Sequence, residues 1–286
     1  MLQAILTGIL VGSVYGLFSM GFSLAFGVMR IVNFAHGALV MLGMYVGYVL
    51  FTTAGIDPFL AIPAAMAVIG VLGAVLYRFA YRRFVGRATL QQLLVAIALA
   101  LVIQVAAQLL FGPDARAVRT AWGGQYLLIG TIFLSYAQLA AGAVTVVLVA
   151  AVELTLHFSL WGQSIRAIAD DPEAAGLVGI SVDRVNLGAF AFSCALAGAA
   201  GAVLVSYYPV NPVVGFTLMP IAMIATVLGG LGSVGGSFVG GIICGVIQQL
   251  TATFLSPALQ DLPLYILLLG FFALRPHGLL GRRAAH

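Results

Sequence analysis

Long apolar runs, interrupted only by short polar breaks, occupy most of the 286-residue chain. Hydrophobic residues make up 63% of the sequence and the mean hydropathy is +1.15, so a water-soluble fold would leave large apolar surfaces exposed. Many runs reach the roughly 20 residues that a helix needs to cross about 30 Å of hydrocarbon, and they lack the alternating pattern of a membrane β-barrel. The sequence therefore predicts an all-α fold, a polytopic bundle of transmembrane helices.

Polar breaks divide the chain into eight to nine predicted spans within a single transmembrane domain. Two spans are less regular: 32–53 begins with polar Asn33 and His36, and 217–231 is short and ends in glycines. Each of these two is also compatible with a broken or re-entrant segment. The nine predicted spans are 3–28, 32–53, 59–79, 90–111, 132–157, 187–207, 217–231, 237–256 and 262–275.

Arginine supplies all of the basic charge, because the chain contains no lysine. Placing residues 78–87 in the cytoplasm puts ten of the 12 arginines inside and leaves only Arg116 and Arg119 outside, a clear positive-inside bias. This orientation predicts a periplasmic N-terminus, a cytoplasmic C-terminus and a cytoplasmic loop at 159–186. The ten internal arginines are Arg30, Arg78, Arg82, Arg83, Arg87, Arg166, Arg184, Arg275, Arg282 and Arg283.

The cytoplasmic loop 159–186 has the features of a docking segment. Asp171 can cap a short helix that begins at Pro172, with Glu173 in its first turn and Gly179 able to close it. A partner protein with a groove would bind the apolar ridge of this helix; the alternative is a solvated connector without a partner. The ridge consists of Ala174, Ala175, Leu177 and Val178, and half of the eight acids lie in the loop, namely Asp170, Asp171, Glu173 and Asp183.

Several kinds of chemistry are disfavoured by the sequence. Without lysine the chain has no Walker A loop, so any ATP that drives it binds to another polypeptide, and we expect no cofactor in this chain. Cys194 and Cys244 lie in apolar runs and are interpreted as packing residues, and His36 has no neighbouring ligands for zinc. We therefore expect no metal site and no catalytic residues, and the arginines indicate membrane orientation rather than nucleic-acid binding.

Two pairs of polar residues lie near the predicted inner membrane surface. Asn33 and His36 are three residues apart and would share a helix face, where they either line or gate a path, or cap a helix start or bond a neighbouring backbone. Glu153 and His157 are four apart, close enough to pair, and the nearby interface favours snorkelling or helix pairing over a pathway role.

Glycines recur at four-residue intervals and predict close helix packing. The segment Gly229–Gly236 has a second interpretation as an unwound bend. For that reason Gly232 and Gly236 join Asn33 and His36 as candidates for the translocation path. The repeated glycines are Gly8, Gly12 and Gly16, then Gly232, Gly236 and Gly240, and then Gly241 and Gly245.

Three segments carry a resemblance to a known family. Glu173-Ala174-Ala175, followed after three residues by Gly179, resembles the E-A-A-x-x-x-G signature with which permease subunits of bacterial ABC importers dock on their ATPase subunits, although the I-x-L-P ending is absent after Ser181. A wider resemblance, along nearly the whole chain, is to the high-affinity branched-chain amino acid permeases of the LivH type. The motifs that carry it are residues 29–38 (MRIVNFAHGA), 169–175 (ADDPEAA) and 229–236 (GGLGSVGG). This group also includes permeases for urea and short-chain amides.

The resemblance implies an importer of the bacterial inner membrane with two permeases, two cytoplasmic ATP-binding subunits and a periplasmic solute-binding protein. This chain would be one permease, not an enzyme, surrounded by membrane lipid, and it would carry branched-chain or other hydrophobic amino acids. A stand-alone secondary transporter is the alternative from another class, but the spans offer few ionisable residues for ion coupling. The residues implied in ATPase coupling are Asp170, Asp171, Pro172, Glu173, Ala174, Ala175 and Gly179.

Overall fold

A computed structural model describes residues 1–120, 123–130 and 132–274 and confirms the helical bundle. Two single-turn 3₁₀ helices, Tyr81–Arg83 and Pro257–Leu259, lie between longer elements. The α-helices are α1 (Leu2–Met29), α2 (His36–Ala54), α3 (Ile62–Phe79), α4 (Thr89–Phe111), α5 (Tyr136–Phe158), α6 (Leu160–Asp170), α7 (Pro172–Leu177), α8 (Val182–Leu204), α9 (Val214–Gly229), α10 (Val234–Phe254) and α11 (Leu262–Leu274).

Each of the nine predicted spans contains an apolar helix, but the helices differ in length. Seven helices of the described part are long and apolar enough to cross a membrane, namely α1 to α5, α8 and α10. Helix α9 has 16 residues and an internal Pro220, so its length of about 24 Å is less than the hydrocarbon thickness. The predicted span 262–275 corresponds to α11; Arg275, Arg282 and Arg283 lie outside the described residues.

Three boundaries differ from the predicted spans by four or five residues. The second span begins at His36 rather than at residue 32, since residues 30–35 are not helical. Residues 132–135, predicted as the start of the fifth span, instead form strand β2 (Ile132–Ser135), which pairs antiparallel with β1 (Tyr126–Ile129). The sixth span starts five residues early, at Val182, so it takes up the end of the predicted loop 159–186.

Helices α1 and α8 form the centre of the bundle. In each of these two helices, 78% of an apolar 18-residue stretch is buried inside the protein. The buried share of the corresponding stretch is only 17% in α4 and 22% in α5. Cys194 lies on α8 and Cys244 on α10, and both are buried and free, in agreement with their interpretation as packing residues. The outer helices α4 and α5 expose mainly apolar side chains, as expected for surfaces that face lipid.

Facing glycines let α1 and α10 approach closely, as their spacing predicts. A Cβ atom added at Gly12 would lie 2.8 Å from the carbonyl oxygen of Gly241, and one at Gly245 would overlap the backbone of Gly12. A Cβ at Gly8 would lie 2.6 Å from the Cα of Val246. Side chains larger than hydrogen would therefore separate the two helices.

The glycines of 229–236 belong to three elements, the end of α9, the bend after it and the start of α10, rather than to one ridge. Residues 230–233 form a bend between α9 and α10, with positive φ angles at Gly230 (95°) and Gly232 (85°), so the unwound interpretation is confirmed for this stretch. Gly236 lies on α10, where it packs directly against Gly229 of α9. The prediction of a continuous ridge through Gly232, Gly236 and Gly240 is wrong, because Gly232 precedes the helix.

Candidate functional site

Helix α7 begins with the predicted cap. One carboxylate oxygen of Asp171 (Oδ1) accepts the backbone N–H groups of Glu173 at 2.9 Å and Ala174 at 3.0 Å. Pro172 occupies the first turn, where its missing N–H costs no helical bond, and Glu173 adds negative charge at the positive end of the helix dipole. These contacts fix the start of a helix that is only six residues long.

The other end of α7 is closed by a left-handed glycine. Gly179 has a φ of 90°, a conformation that strains any side chain with a Cβ. Its N–H donates to the carbonyl of Gly176 at 3.1 Å, and the N–H of Ile180 donates to the carbonyl of Ala175, also at 3.1 Å. The chain therefore reverses sharply after α7 and enters α8.

The exposed face of α7 is apolar but smaller than predicted. Leu177 is 90% exposed and Val178 is 78% exposed, and Ala174 is exposed beside them. Ala175 is buried against the protein, so its place in the four-residue ridge is corrected. The surface available to a partner consists of Ala174, Leu177 and Val178, bordered by the exposed carboxylate of Glu173.

A three-turn helix, α6, holds α7 in place and was missed in the predicted loop. Ser159 caps α6, because its hydroxyl accepts the N–H of Gly162 at 2.9 Å. The guanidinium of Arg166 donates to the carbonyls of Leu156 and His157 at the end of α5. The sequence signal that could have revealed α6 is the helical spacing of its apolar residues: Ile165 and Ile168 are buried and Trp161 is partly buried. The predicted coupling residue Asp170 is the last residue of α6 and is exposed.

The start of α8 is tied to the arginine-rich segment 78–87. Arg82 and Asp183 form an ion pair with an N–O distance of 2.9 Å, and the hydroxyl of Tyr77 donates to Asp183 at 3.2 Å. Both predicted cytoplasmic segments therefore lie at one end of the bundle. We call this end, with residues 78–88 and 159–183, the polar end.

Asn33 lies beside the polar end, whereas His36 packs against the middle of α1, and the two do not share a helix face. Asn33 precedes α2 in the break after α1, and its side-chain oxygen accepts the N–H of Ala35 at 3.1 Å and the hydroxyl of Tyr81 at 2.6 Å. The ring of His36 contacts the carbonyl of Phe18 through Nε2 at 2.8 Å. The prediction of a shared face is wrong, and the bonds correspond to the backbone-bonding alternative; both residues are fully buried.

The polar bend 230–233 lies beside the end of α1. A Cβ added at Gly27 would lie 3.1 Å from the Cα of Gly232, so the break after α1 and the bend before α10 meet at the polar end. Gly232 is exposed and lines a cleft of about 240 Å³ together with Glu153 and His157, whereas Gly236 is buried in helix packing. Glu153 and His157 form no ion pair with each other in the part of the chain that the structure describes.

The family model for the permease component of branched-chain amino acid transport systems matches residues 4–272. The fold, a multi-pass bundle with a capped helix at its polar end, is that of a membrane permease, and the chain belongs to this family. It is a multi-pass protein of the inner membrane.

Named relatives cover nearly the whole chain. It is 32% identical to the high-affinity branched-chain amino acid transport system permease protein LivH of Salmonella typhimurium, over 98% of this chain and 96% of the relative, and likewise 32% identical to LivH of Escherichia coli K12 with the same coverage. It is 31% identical to BraD of Pseudomonas aeruginosa, again over 98% and 96% of the two chains.

Proposed function

We propose that this chain is the permease subunit of an ABC importer that moves branched-chain or other hydrophobic amino acids across the inner membrane. The observation that carries the proposal is α7, a helix closed at both ends that presents Leu177 and Val178 to solvent beside Glu173. Such a rigid, exposed apolar surface on a permease is suited to docking on a separate protein. Relatives at about 32% identity are named as branched-chain amino acid permeases, which supports the substrate class.

The proposed partners are those that the family resemblance implies, and two features of the sequence support them. The absence of lysine leaves no Walker A loop, which supports ATP binding by separate subunits. In the proposed importer, two cytoplasmic ATP-binding subunits supply the energy and this chain acts as a transport subunit without a cofactor. The arginine distribution supports a cytoplasmic polar end with a periplasmic N-terminus. A second permease subunit completes the path, and a periplasmic solute-binding protein delivers the amino acid.

A chain of contacts supports transmission from α7 to the membrane helices. Movement of α7 reaches Asp183 at the start of α8, which is bound to Arg82. The neighbouring Tyr81 donates to Asn33 in the break before α2. ATP-driven motion at α7 can therefore move the start of α2, which is how a permease changes access from one side to the other.

The path candidates take different parts in this proposal. Asn33 and His36 act as a buried polar joint between α1 and α2, and one nitrogen of each, Nδ2 of Asn33 and Nδ1 of His36, has no hydrogen-bond partner among the described residues. Unpartnered buried polar atoms are costly, so a rearrangement that pairs them is favourable. Gly232 lies in the bend between α9 and α10, and Gly236 lies in the first turn of α10, so both take part where α9 and α10 move with this joint.

Reconstitution into proteoliposomes tests the transport proposal. With the ATP-binding subunits and a binding protein present, we expect labelled leucine to accumulate only when ATP is supplied, since this chain carries no motor. Leucine uptake by the purified chain alone would instead establish the stand-alone transporter, and uptake of urea or a short amide without leucine would establish the alternative substrate class. A liposome preparation without the chain serves as the control for leakage.

A further inference from the structure

An open pocket of about 400 Å³ lies at the polar end, away from α7, where the arginine-rich segment meets the start of α4. Its polar wall consists of Arg83, Arg87 and Gln91, and its apolar wall consists of Phe84, Leu94 and Val95. None of these residues belongs to the coupling site or to the path candidates described above. The pocket therefore needs an explanation of its own.

The polar wall carries positive charge that the described protein does not neutralise. The single ion pair in the described residues engages Arg82, so neighbouring Arg83 and Arg87 have no carboxylate partner there, and both are exposed. Helix α4 begins beside them at Thr89, without a side-chain cap and without an acid in its first turn. Its free N-terminal amides add to the positive potential of the two guanidinium groups.

The apolar wall continues into a surface that faces lipid. Leu94 is 59% exposed and Leu90 is 66% exposed, and only 17% of the most apolar window of α4 is buried. The pocket thus joins a cationic wall to an exposed apolar surface, the combination that suits the boundary between the headgroups and the hydrocarbon region. A ligand that fits it has a phosphate anion at one end and an acyl chain at the other.

We propose that this pocket binds an anionic phospholipid of the leaflet that borders the polar end. The phosphate lies between the guanidinium groups of Arg83 and Arg87, which bind phosphate oxygens in a bidentate manner. The first carbons of an acyl chain lie along Leu94 and Val95. Bound lipid would hold the arginine-rich segment, and with it the Arg82–Asp183 pair, against the membrane surface.

Lipid titration of the full-length chain by native mass spectrometry tests the proposal. We expect phosphatidylglycerol to bind more tightly than phosphatidylcholine, and R83Q/R87Q to weaken phosphatidylglycerol binding about thirtyfold, because each basic residue contributes about fivefold. The matched control is R78Q, which removes an exposed arginine of the same end that lies outside the pocket and should leave binding unchanged. Equal binding by R83Q/R87Q and the unmodified chain, or an equal loss in R78Q, would overturn the proposal.

Two further measurements separate a lipid from a soluble phosphate and guard against misfolding. Leu94→Ala should weaken phosphatidylglycerol binding and leave binding of glycerol phosphate unchanged, because Leu94 contacts only the acyl chain in the proposed site. In a competition experiment, displacement of the lipid by an equal concentration of glycerol phosphate would show a site for soluble phosphate and contradict the proposal. Because arginines also orient the chain, the single variants R83Q and R87Q, each expected to lose about fivefold, keep the test available if the double variant does not insert.

Discussion

At the residue scale, the capping carboxylate of Asp171 stabilises the start of α7. Six residues are too few for a helix to persist in water by propensity alone, so the two hydrogen bonds to the amides of Glu173 and Ala174 supply much of its local stability. Gly179 contributes at the other end by adopting a φ of 90° without strain. The docking surface thus depends on two residues that themselves need not touch the partner.

Replacing Asp171 by alanine should loosen α7 without unfolding the bundle. Loss of an N-cap costs about 1 kcal/mol, so hydrogen exchange at the amides of Glu173 and Ala174 should rise about fivefold. Asp171→Asn keeps the capping oxygen but removes the charge, and it should restore the slow exchange. Equally fast exchange in the alanine and asparagine variants would show that charge, not the cap, holds the helix.

At the element scale, the packing of α1 on α10 depends on the absence of side chains along their contact. A Cβ at Gly241 would overlap the backbone of Gly16, and no flexible side chain is present there to move aside. Close backbone approach replaces the hydrophobic driving force that helices lack inside a membrane. The same helices carry the two polar breaks, so their contact also determines where Gly27 meets Gly232.

Gly241→Ala should therefore destabilise the bundle by about 1–3 kcal/mol, the usual cost of overpacking. Thermal unfolding in detergent, followed by circular dichroism, measures the change. Gly270→Ala is the matched control on apolar α11, because a Cβ there meets no atom within 4 Å and alanine favours helix. A control variant that unfolds as early as Gly241→Ala would refute the packing explanation.

At the scale of the whole molecule, the polar end combines the two surfaces on which the proposals depend. The Arg82–Asp183 pair connects the arginine-rich segment to the helix that follows α7. Its side chains are 44% and 45% exposed, so the pair adds little stability, and its value lies in the connection. Arg83 and Arg87 of the same segment line the proposed lipid pocket.

Assembly with the ATP-binding subunits should fail when the charge on α7 is reversed. For Glu173→Lys, we expect normal membrane insertion and reduced co-purification of the ATP-binding subunits, because the substitution places a positive charge at the positive end of the helix and beside the apolar surface. Asp114→Lys makes the same charge change at an exposed residue far from the polar end and should leave co-purification unchanged. Unchanged co-purification for Glu173→Lys would remove α7 from the docking proposal.

The sequence by itself determined the bundle, most of its spans and the ends of α7. These features depend on local chemistry: apolar runs long enough for a membrane, and residues such as Asp171 and Gly179 that act on their own neighbours. It also identified the family, through motifs that are continuous in the chain.

Only the tertiary structure decided how distant residues pair. Asn33 and His36 are close in sequence and were expected on one helix face, yet Asn33 binds Tyr81 and His36 binds Phe18, because the chain breaks between α1 and α2. Ala175 is buried only because α7 packs back on the bundle. Periodicity describes one helix at a time, whereas the partners of these residues lie on other helices, and only three-dimensional packing brings them together.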